Sequence, residues 1–440
     1  MNALTATAAV ALAAGFASAT PDVICGVLNG VGNYGQIGNM RAYSVGTTAC
    51  NKGDSPADWI DDTLNHPVIS ATMFKFDNGR MTQIGVSFVK HSFASLQGNE
   101  CGFGCANDGS WQSLGSGCSD PYGPSLNGSQ TDLGPRFEVN AYTGGYVTPP
   151  AFANQTGNSI YKRLQVPTAE LQAPNAIFYV EGQYVTLDDA QVGNQFNNAS
   201  HRRININQSN LSGSLASGFS TVAEIPAIFA WENHDASVGI SQIDVPGEGR
   251  FYLASKAVDL GNGSYRYEYG LYNLNSHRSA GSISIPVNTG SSDYGFNDIS
   301  YHSGEPYSGT DWSQVDDGNK LTWSTEDFSV NQNANAIRWG TMYNFWFTTD
   351  AAPTTGDVEI GLFRPGSPSS LTASATVPSA DAPCLPDFAE PFGALNFFDV
   401  SAYIGAYNAG DPSADFAEPF GALNFFDVSA FIASYNAGCP

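Results

Sequence analysis

The feature that most constrains this chain is a tandem repeat close to its C-terminal end. Residues 387–410 read DFAEPFGALNFFDVSAYIGAYNAG and residues 415–438 read DFAEPFGALNFFDVSAFIASYNAG, a period of 28 residues. The copies differ only at the pairs Tyr403/Phe431, Gly405/Ala433 and Ala406/Ser434. A unit this short cannot bury its apolar side chains alone. We therefore expect the two copies to pack against each other.

Each copy predicts an acidic loop followed by one short amphipathic helix. The apolar positions with the spacing i, i+3, i+4, i+7 are Val400, Tyr403, Ile404 and Tyr407, then Val428, Phe431, Ile432 and Tyr435. Asn-Ala-Gly follows at 408–410 and 436–438, and Asn and Gly tolerate the left-handed conformation that ends a helix. Cys384 precedes the first copy and Cys439 follows the second, so we expect a disulfide between them in an oxidising compartment.

The repeat pair resembles a dockerin, a duplicated loop–helix calcium module related to the EF-hand and found at the C-terminal end of secreted bacterial proteins. The core LNFFDVSAF and the ending Gly438-Cys439-Pro440 are similar to the GC-type dockerin-like tails of planctomycete secreted proteins. The resemblance implies docking to a cohesin-like or surface partner protein, or self-assembly into an extracellular polymer. It implies that the partner is bound through Phe397, Phe398, Phe425 and Phe426.

The resemblance also implies calcium in the two loops. The ligands carried over from the family are Asp387, Asn396 and Asp399 in the first copy and Asp415, Asn424 and Asp427 in the second. The chain departs from the family at the third and fifth loop positions, which are Ala and Pro in both copies. Calcium takes six to eight oxygen ligands, so this set is small. The alternative is that the disulfide and aromatic packing replace the ion.

The rest of the chain has a composition typical of β-structure. Hydrophobic residues make up 42% and charged residues only 13%, with 47 glycines to serve turns. We expect a mainly β protein with one or two antiparallel β-sandwich domains, a disulfide-bonded N-terminal β module and a small helical tail. The expected divisions are a signal peptide (1–19), the N-terminal module (20–145), the β-sandwich region (146–375), a linker (376–386) and the repeats (387–440).

The N-terminal end and the net charge indicate the compartment. Residues 4–16 are almost entirely small or apolar, and Ala17-Ser18-Ala19 fits a signal-peptidase cleavage site. No later stretch approaches the roughly 20 apolar residues that span a membrane. The net charge of −24 argues against a nucleic-acid or anionic-membrane partner, because both require a basic surface. We expect a secreted protein, extracellular or at the cell surface.

Five further cysteines lie in the N-terminal part. We expect two disulfides within the set Cys50, Cys101, Cys105 and Cys118, in any of the three possible connectivities. Cys25 is then the free or intermolecular thiol. The alternative is a zinc or copper site that combines these cysteines with His66 and His91.

Short β-rich segments separated by turn residues recur as far as residue 363. Asn78-Gly79 and Gly261-Asn262-Gly263 each lie between two such segments and predict hairpins. Residues 342–347, MYNFWF, are apolar on both faces, as in a central strand buried between two layers. The other predicted strands cover residues 176–186, 282–287, 320–324 and 358–363.

Candidate chemistry in the β regions is sparse, and we assign no catalytic residue. Asp188-Asp189 fits a solvated loop better than a calcium loop, and the groups Glu232/His234/Asp235 and His302/Glu305 fit surface or structural roles. For Trp312, Trp323, Trp339 and Trp346, core packing is favoured over a sugar-stacking platform. We expect a non-catalytic surface or matrix protein anchored by its tail. The alternatives are a polysaccharide-binding protein and a dockerin-anchored hydrolase.

Overall fold

The computed structural model describes residues 19–91, 93–288, 290–379, 385–392 and 394–438. Strands account for 39% of the chain and helices for 14%, which confirms the mainly β class with antiparallel sheets. Most of the expected signal peptide (1–18) lies outside the described residues, as do Cys384 and Cys439.

The first thirteen strands occupy the N-terminal half of the chain. They are β1 (Val23–Ile37), β2 (Met40–Asn51), β3 (Ala57–Asp58), β4 (Val68–Asp77), β5 (Arg80–Val86), β6 (Val89–Lys90), β7 (Ser113–Leu114), β8 (Ser119–Tyr122), β9 (Leu133–Gly134), β10 (Leu164–Pro167), β11 (Ile177–Val185), β12 (Ala199–Ile206) and β13 (Gly213–Leu215). Strands β3 and β7 pair with each other, and the other eleven form one sheet with the main order β1-β2-β10-β5-β4-β11-β12-β13. This first sheet curls so that β12 approaches β1. Arg202 on β12 donates a hydrogen bond to the carbonyl of Leu28 on β1 at 2.8 Å.

The last ten strands form two further sheets. They are β14 (Gly239–Asp244), β15 (Arg250–Asp259), β16 (Tyr265–Asn273), β17 (Ala280–Pro286), β18 (Ser291–Asn297), β19 (Ser313–Asp316), β20 (Lys320–Ser324), β21 (Thr341–Thr349), β22 (Pro353–Leu362) and β23 (Ser370–Pro378). The second sheet has the order β14-β15-β16-β21-β18, and the third has the order β19-β20-β17-β22-β23. Both predicted hairpins are confirmed as β4–β5 and β15–β16.

Helices are short except in the repeats. They are α1 (Pro124–Asn127), α2 (Thr168–Leu171), α3 (Leu187–Gln191), α4 (Ala230–His234), α5 (Phe397–Ala409) and α6 (Phe425–Ala437), with 3-10 turns at Gln130–Asp132, Arg136–Glu138, Ala227–Phe229 and Pro412–Ala414. Within the described part of the chain, no helix has the length and apolar character needed to cross a membrane.

The three sheets stack as layers, with the second sheet in the middle. On β21, Tyr343, Phe345 and Phe347 pack into a core shared with the third sheet. Met342 packs on the opposite face, in a cluster that includes Phe74 of the first sheet. The interpretation of residues 342–347 as a central strand between two layers is therefore confirmed.

The strand pairing differs from the expected divisions of the chain. The first sheet takes strands from both sides of residue 145, since β10 to β13 pair with strands of the N-terminal module. Residues 146–215 therefore belong with the first sheet, and the two-sheet sandwich begins at β14. At the other end β23 continues to Pro378, so the first residues assigned to the linker are strand residues.

The tip of the β4–β5 hairpin joins the first sheet to the second. The Gly79 carbonyl accepts hydrogen bonds from Trp231 Nε1 at 2.9 Å and from Lys256 Nζ at 2.6 Å. Arg80 forms two 2.9 Å hydrogen bonds with the carboxylate of Glu268 on β16, and its guanidinium lies 3.7 Å from the ring centroid of Trp346. Because Glu268 is nearly buried, this pair is shielded from solvent.

Two disulfides hold the long loop that follows β6. Cys50 bonds with Cys101, and Cys105 bonds with Cys118, which confirms two bridges within the expected set and fixes their connectivity. Cys25 is free and buried on β1, and burial raises the pKa of its thiol. An intermolecular bond through Cys25 is therefore ruled out in the native fold.

We expect Arg80→Met to lower the free energy of unfolding by about 2 kcal/mol, because it leaves the buried Glu268 carboxylate with Arg266 alone at 3.1 Å. Urea unfolding followed by tryptophan fluorescence measures this, since all seven tryptophans lie between residues 59 and 346. The control is Lys52→Met, which removes a more exposed ion pair with Glu224 and should cost less than about 1 kcal/mol. Equal effects of the two variants would contradict a special role for the hairpin tip.

Candidate functional site

The two repeat helices begin at identical capping boxes. The Asn396 side chain accepts from the N–H of Phe398 at 2.8 Å, and Asp399 accepts from the N–H of Asn396 at 2.7 Å. Asn424 and Asp427 repeat this arrangement at the start of α6. These bonds satisfy N–H groups that a helix start leaves without an intrahelical partner. The prediction of one helix in each copy is confirmed.

Aromatic rings fill the core between the two copies. Tyr403 and Phe431, which occupy equivalent positions, stack with centroids 3.8 Å apart and an interplanar angle of 3°. Phe388 and Phe416 meet this stack edge-on from the two loops. The expectation that the copies pack face to face is confirmed.

Each helix buries fewer of its apolar side chains than the i, i+3, i+4, i+7 spacing predicts. Ile404 and Ile432 are 51% exposed, so they lie outside the core that Tyr403 and Phe431 form. The pair of stacked rings fills the space between the helices, and the isoleucines at the next position face away from it.

The predicted partner-binding phenylalanines lie on the surface. Phe397, Phe398, Phe425 and Phe426 are 76%, 63%, 76% and 64% exposed. They occupy the first two positions of α5 and α6. Phe392 and Phe420, in the two loops, are exposed to a similar degree. We call these six residues the Phe surface. Phe397 and Phe398 lie side by side with ring centroids 6.5 Å apart, and adjoining exposed apolar side chains are typical of a binding surface.

The predicted calcium ligands of the first loop hold the backbone instead. Asp399 is fully buried, and its two oxygens accept from the N–H groups of Ala389 at 2.8 Å and Asn396 at 2.7 Å. The Asn396 oxygen caps the helix, and its amide donates to the Ala394 carbonyl. Through these two bonds Asp399 ties the loop to the start of the helix.

The second loop is closed in the same way. Asp427 accepts from three N–H groups, those of Phe416 and Ala417 at 2.9 Å each and of Asn424 at 2.6 Å. These bonds lower the pKa of Asp427, with the bond from Asn424 the largest cause. Asp415 accepts from the N–H of Gly421.

This arrangement does not fit a calcium cage. Among the described residues, no three His, Cys, Asp or Glu side chains are grouped so that they could hold a metal ion. Each loop contains three carboxylates, but Asp399 and Asp427 are committed to backbone N–H groups and Glu390 and Glu418 are exposed, whereas calcium prefers six to eight oxygens. The expected Cys384–Cys439 bridge lies outside the described residues.

The alternative zinc or copper site in the N-terminal part is not formed. The cysteines that it needs are in disulfides. His66 and His91 lie close together with Tyr146, with 6.4 Å between the two imidazole centroids. Tyr146 Oη lies 2.8 Å from His66 Nδ1, whereas His91 is buried with no hydrogen-bond partner for either ring nitrogen. Burial lowers the pKa of His91 to about 3.

The tryptophans considered for sugar stacking are core residues. Trp312, Trp323 and Trp339 are at most 5% exposed, and Trp346, a half-buried residue of β21, is covered by the Arg80 guanidinium. Trp111, which the sequence analysis did not single out, is 75% exposed on the disulfide-bonded loop. Its carbonyl accepts from the N–H of Ser95 at 3.0 Å, so its backbone is fixed. The sequence does contain a signal for this exposure. The residues around Trp111 at 107–112 are Asn, Asp, Gly, Ser and Gln, so no neighbouring apolar residue in the sequence indicates a buried position.

The acidic groups in the β regions have structural surroundings. Asp188 and Asp189 lie in α3 and not in a solvated loop, and Asp189 is buried, where it accepts from the N–H of Val23 at 2.9 Å. Asp235 pairs with Lys256, and Glu232 is exposed on α4.

The other three acid–base candidates also have structural surroundings. His234 stacks on Phe76 with centroids 4.4 Å apart. His302 bonds the carbonyl of Val86 at 2.7 Å, and Glu305 accepts from the N–H of Arg136.

Comparisons with known proteins add little to this geometry. No protein-family model matches the chain, and no curated protein matches it. Solved structures similar to it include the serine-rich repeat adhesion glycoprotein Srr1 from Streptococcus agalactiae, at 8% identity and a TM-score of 0.19. That match covers 76% of this chain and 88% of the adhesin chain. A similarity this low supports no argument about fold or function.

We expect acidification to destabilise the first sheet through His91. In the unfolded chain His91 has its ordinary pKa of 6.5, so between pH 6.5 and about 3 the unfolded state binds more protons and stability falls as the pH falls. At pH 5 the unfolding free energy lost through His91 is about 2 kcal/mol. In His91→Leu, the loss of unfolding free energy between pH 7.5 and pH 5 should be smaller by about that amount.

Urea unfolding at the two pH values measures the difference. Because the comparison is made within one variant, it is independent of how well leucine packs. The control is His277→Leu, since His277 is only half-buried and its contribution should be smaller. A pH dependence of His91→Leu equal to that of the unaltered protein would show that His91 titrates normally in the fold.

Proposed function

We propose that the chain is a secreted, non-catalytic, β-rich surface or matrix protein whose C-terminal repeat pair docks it to a partner. The observation that carries this proposal is the exposure of Phe397, Phe398, Phe425 and Phe426 on a module whose core is already filled by other aromatic rings. Burying one such side chain on association removes enough apolar surface to contribute about 1.5–3 kcal/mol.

The comparison of the two copies supports the same proposal. The three pairs of the Phe surface are phenylalanine in both copies, whereas one of the three pairs that differ, Tyr403/Phe431, is buried. The fold of the module does not require phenylalanine at these positions, because the side chains are exposed. A docking role gives both copies a reason to keep them.

Secretion is the second part of the proposal. It is supported by the apolar leader with its cleavage signal and by the two disulfides, which persist in oxidising compartments. The proposed location is the cell surface or the surrounding matrix, where a tail that docks keeps the β layers from diffusing away.

We expect the double variant Phe397→Ser, Phe425→Ser to bind the cell envelope at least about tenfold more weakly than the unaltered chain, because a few buried aromatic residues dominate most interfaces. Residues 20–440 are mixed with the cell-envelope fraction of the producing organism, and the bound amount is measured by co-sedimentation. The matched control is Val330→Ser with Leu260→Ser, which removes two exposed apolar side chains from the β layers. Unchanged binding by the Phe variant would refute docking through this surface.

The same assay tests calcium. Because Asp399 and Asp427 already accept backbone N–H groups, we propose docking that does not depend on an ion. Equal binding with added calcium and with a chelator supports docking without metal, whereas loss of binding with chelator supports the calcium that the dockerin resemblance implies.

A second candidate function is polysaccharide binding, and Trp111 is the observation that favours it. An indole ring held in the open on a loop with two disulfides offers a flat face to the C–H groups of a sugar ring, and the side chains of Asn107 and Gln112 are exposed nearby in the sequence.

We expect the chain to be retarded in gels that contain soluble xylan, glucomannan or hydroxyethylcellulose, and Trp111→Ala to abolish the retardation, because the variant loses the stacking face. Leu260→Ala, which alters an exposed apolar residue elsewhere, is the control. The absence of retardation by all three polysaccharides would count against this candidate.

A further inference from the structure

The C-terminal part of the chain has no positive side chain. The last basic residue is Arg364, and residues 385–438 contain seven acidic residues and no Lys, Arg or His. Two of the seven, Asp399 and Asp427, are buried and face backbone N–H groups. The charge that a partner meets on the tail is therefore entirely negative.

Exposed carboxylates accompany the Phe surface. Glu390 and Glu418 are exposed, and each stands two residues before an exposed phenylalanine, Phe392 or Phe420. Each copy thus displays apolar rings together with a carboxylate, in the same order along the chain. Asp411, between the copies, is exposed as well.

Building on the docking function proposed above, we propose that the partner is a protein surface with an apolar hollow bordered by lysine or arginine side chains. The phenylalanine rings require an apolar surface on which to be buried, and the glutamates beside them in sequence require cations to compensate their desolvation. Nucleic acids and anionic membranes lack these cations, and their negative charge repels the glutamates.

A second copy of this chain fits the tail poorly. Two tails that met through their Phe surfaces would bring together like charges with no cation on either side. Like-charge contacts across an interface are costly, and the net charge of −24 on the whole chain adds long-range repulsion at low salt. Charge therefore favours a different, basic partner over self-assembly.

The test compares two charge-reversal variants of residues 20–440 by co-sedimentation with the cell-envelope fraction of the producing organism. The first is Glu390→Lys with Glu418→Lys. The second is Asp311→Lys with Asp357→Lys, a matched control that makes the same change in net charge at exposed positions of the β layers. The control accounts for any general attraction of a less acidic chain to the envelope.

We expect the tail variant to bind about tenfold more weakly at about 20 mM NaCl, the control to change less than about twofold, and binding of the unaltered chain to fall at about 500 mM NaCl. Equal binding by the two charge variants would overturn the basic partner. Light scattering at both salt concentrations tests the second copy, and a Phe-dependent rise in mass at high salt would also overturn the proposal.

The two proposals fail in different ways. If Phe397→Ser with Phe425→Ser weakens binding but charge reversal does not, the tail docks to a partner without a basic border. If the Phe variant binds normally, docking through the Phe surface is wrong, whatever the effect of salt.

Discussion

Strand β21 places Tyr343, Phe345 and Phe347 on one face and Met342 on the other, so the middle sheet must be covered on both sides. A sheet that is apolar on both faces cannot be stable in water unless both faces are covered, and the three-layer stack follows from this requirement. Removal of either outer layer would expose a continuous apolar face of the middle sheet. The first sheet and the sandwich are therefore parts of one structure, although the sequence suggests separate modules.

Polar groups inside the layers fix how the sheets sit on one another. Gln83 of the first sheet donates to the Gly340 carbonyl and accepts from the N–H of Met342, and Asn344 donates to the Met81 carbonyl. Glu181 is buried between the layers and accepts from Tyr272 Oη at 2.8 Å, and burial raises the pKa of its carboxyl to about 7. Apolar contact alone would tolerate sliding, but a shift of one residue would leave these buried groups without partners.

The sequence predicted those parts of the fold that depend on residues close together in the chain, such as turns and the disulfide-bonded loop. Asn78 and Gly79 adopt positive φ in the β4–β5 turn, as a two-residue hairpin requires, and the cysteines pair within the set that their spacing indicated. The hairpin of β1 and β2 was missed because its glycines and asparagines weaken the strand pattern, although Gly38-Asn39 is itself a turn signal. The extent of the first sheet was not predictable, since β10 pairs with β2 across more than a hundred residues.

The tail shows why a ligand set is hard to read from residue types alone. Asn followed three positions later by Asp is what a calcium loop that leads into a helix can use, and it is also a helix capping box. The pairs Asn396/Asp399 and Asn424/Asp427 form capping boxes. Their side-chain oxygens, which the resemblance assigns to a calcium ion, accept hydrogen bonds from backbone N–H groups. The phenylalanines next to them have no such second role, because the Tyr403–Phe431 stack fills the core without them. The exposed rings are therefore side chains of the repeat that its own fold does not explain.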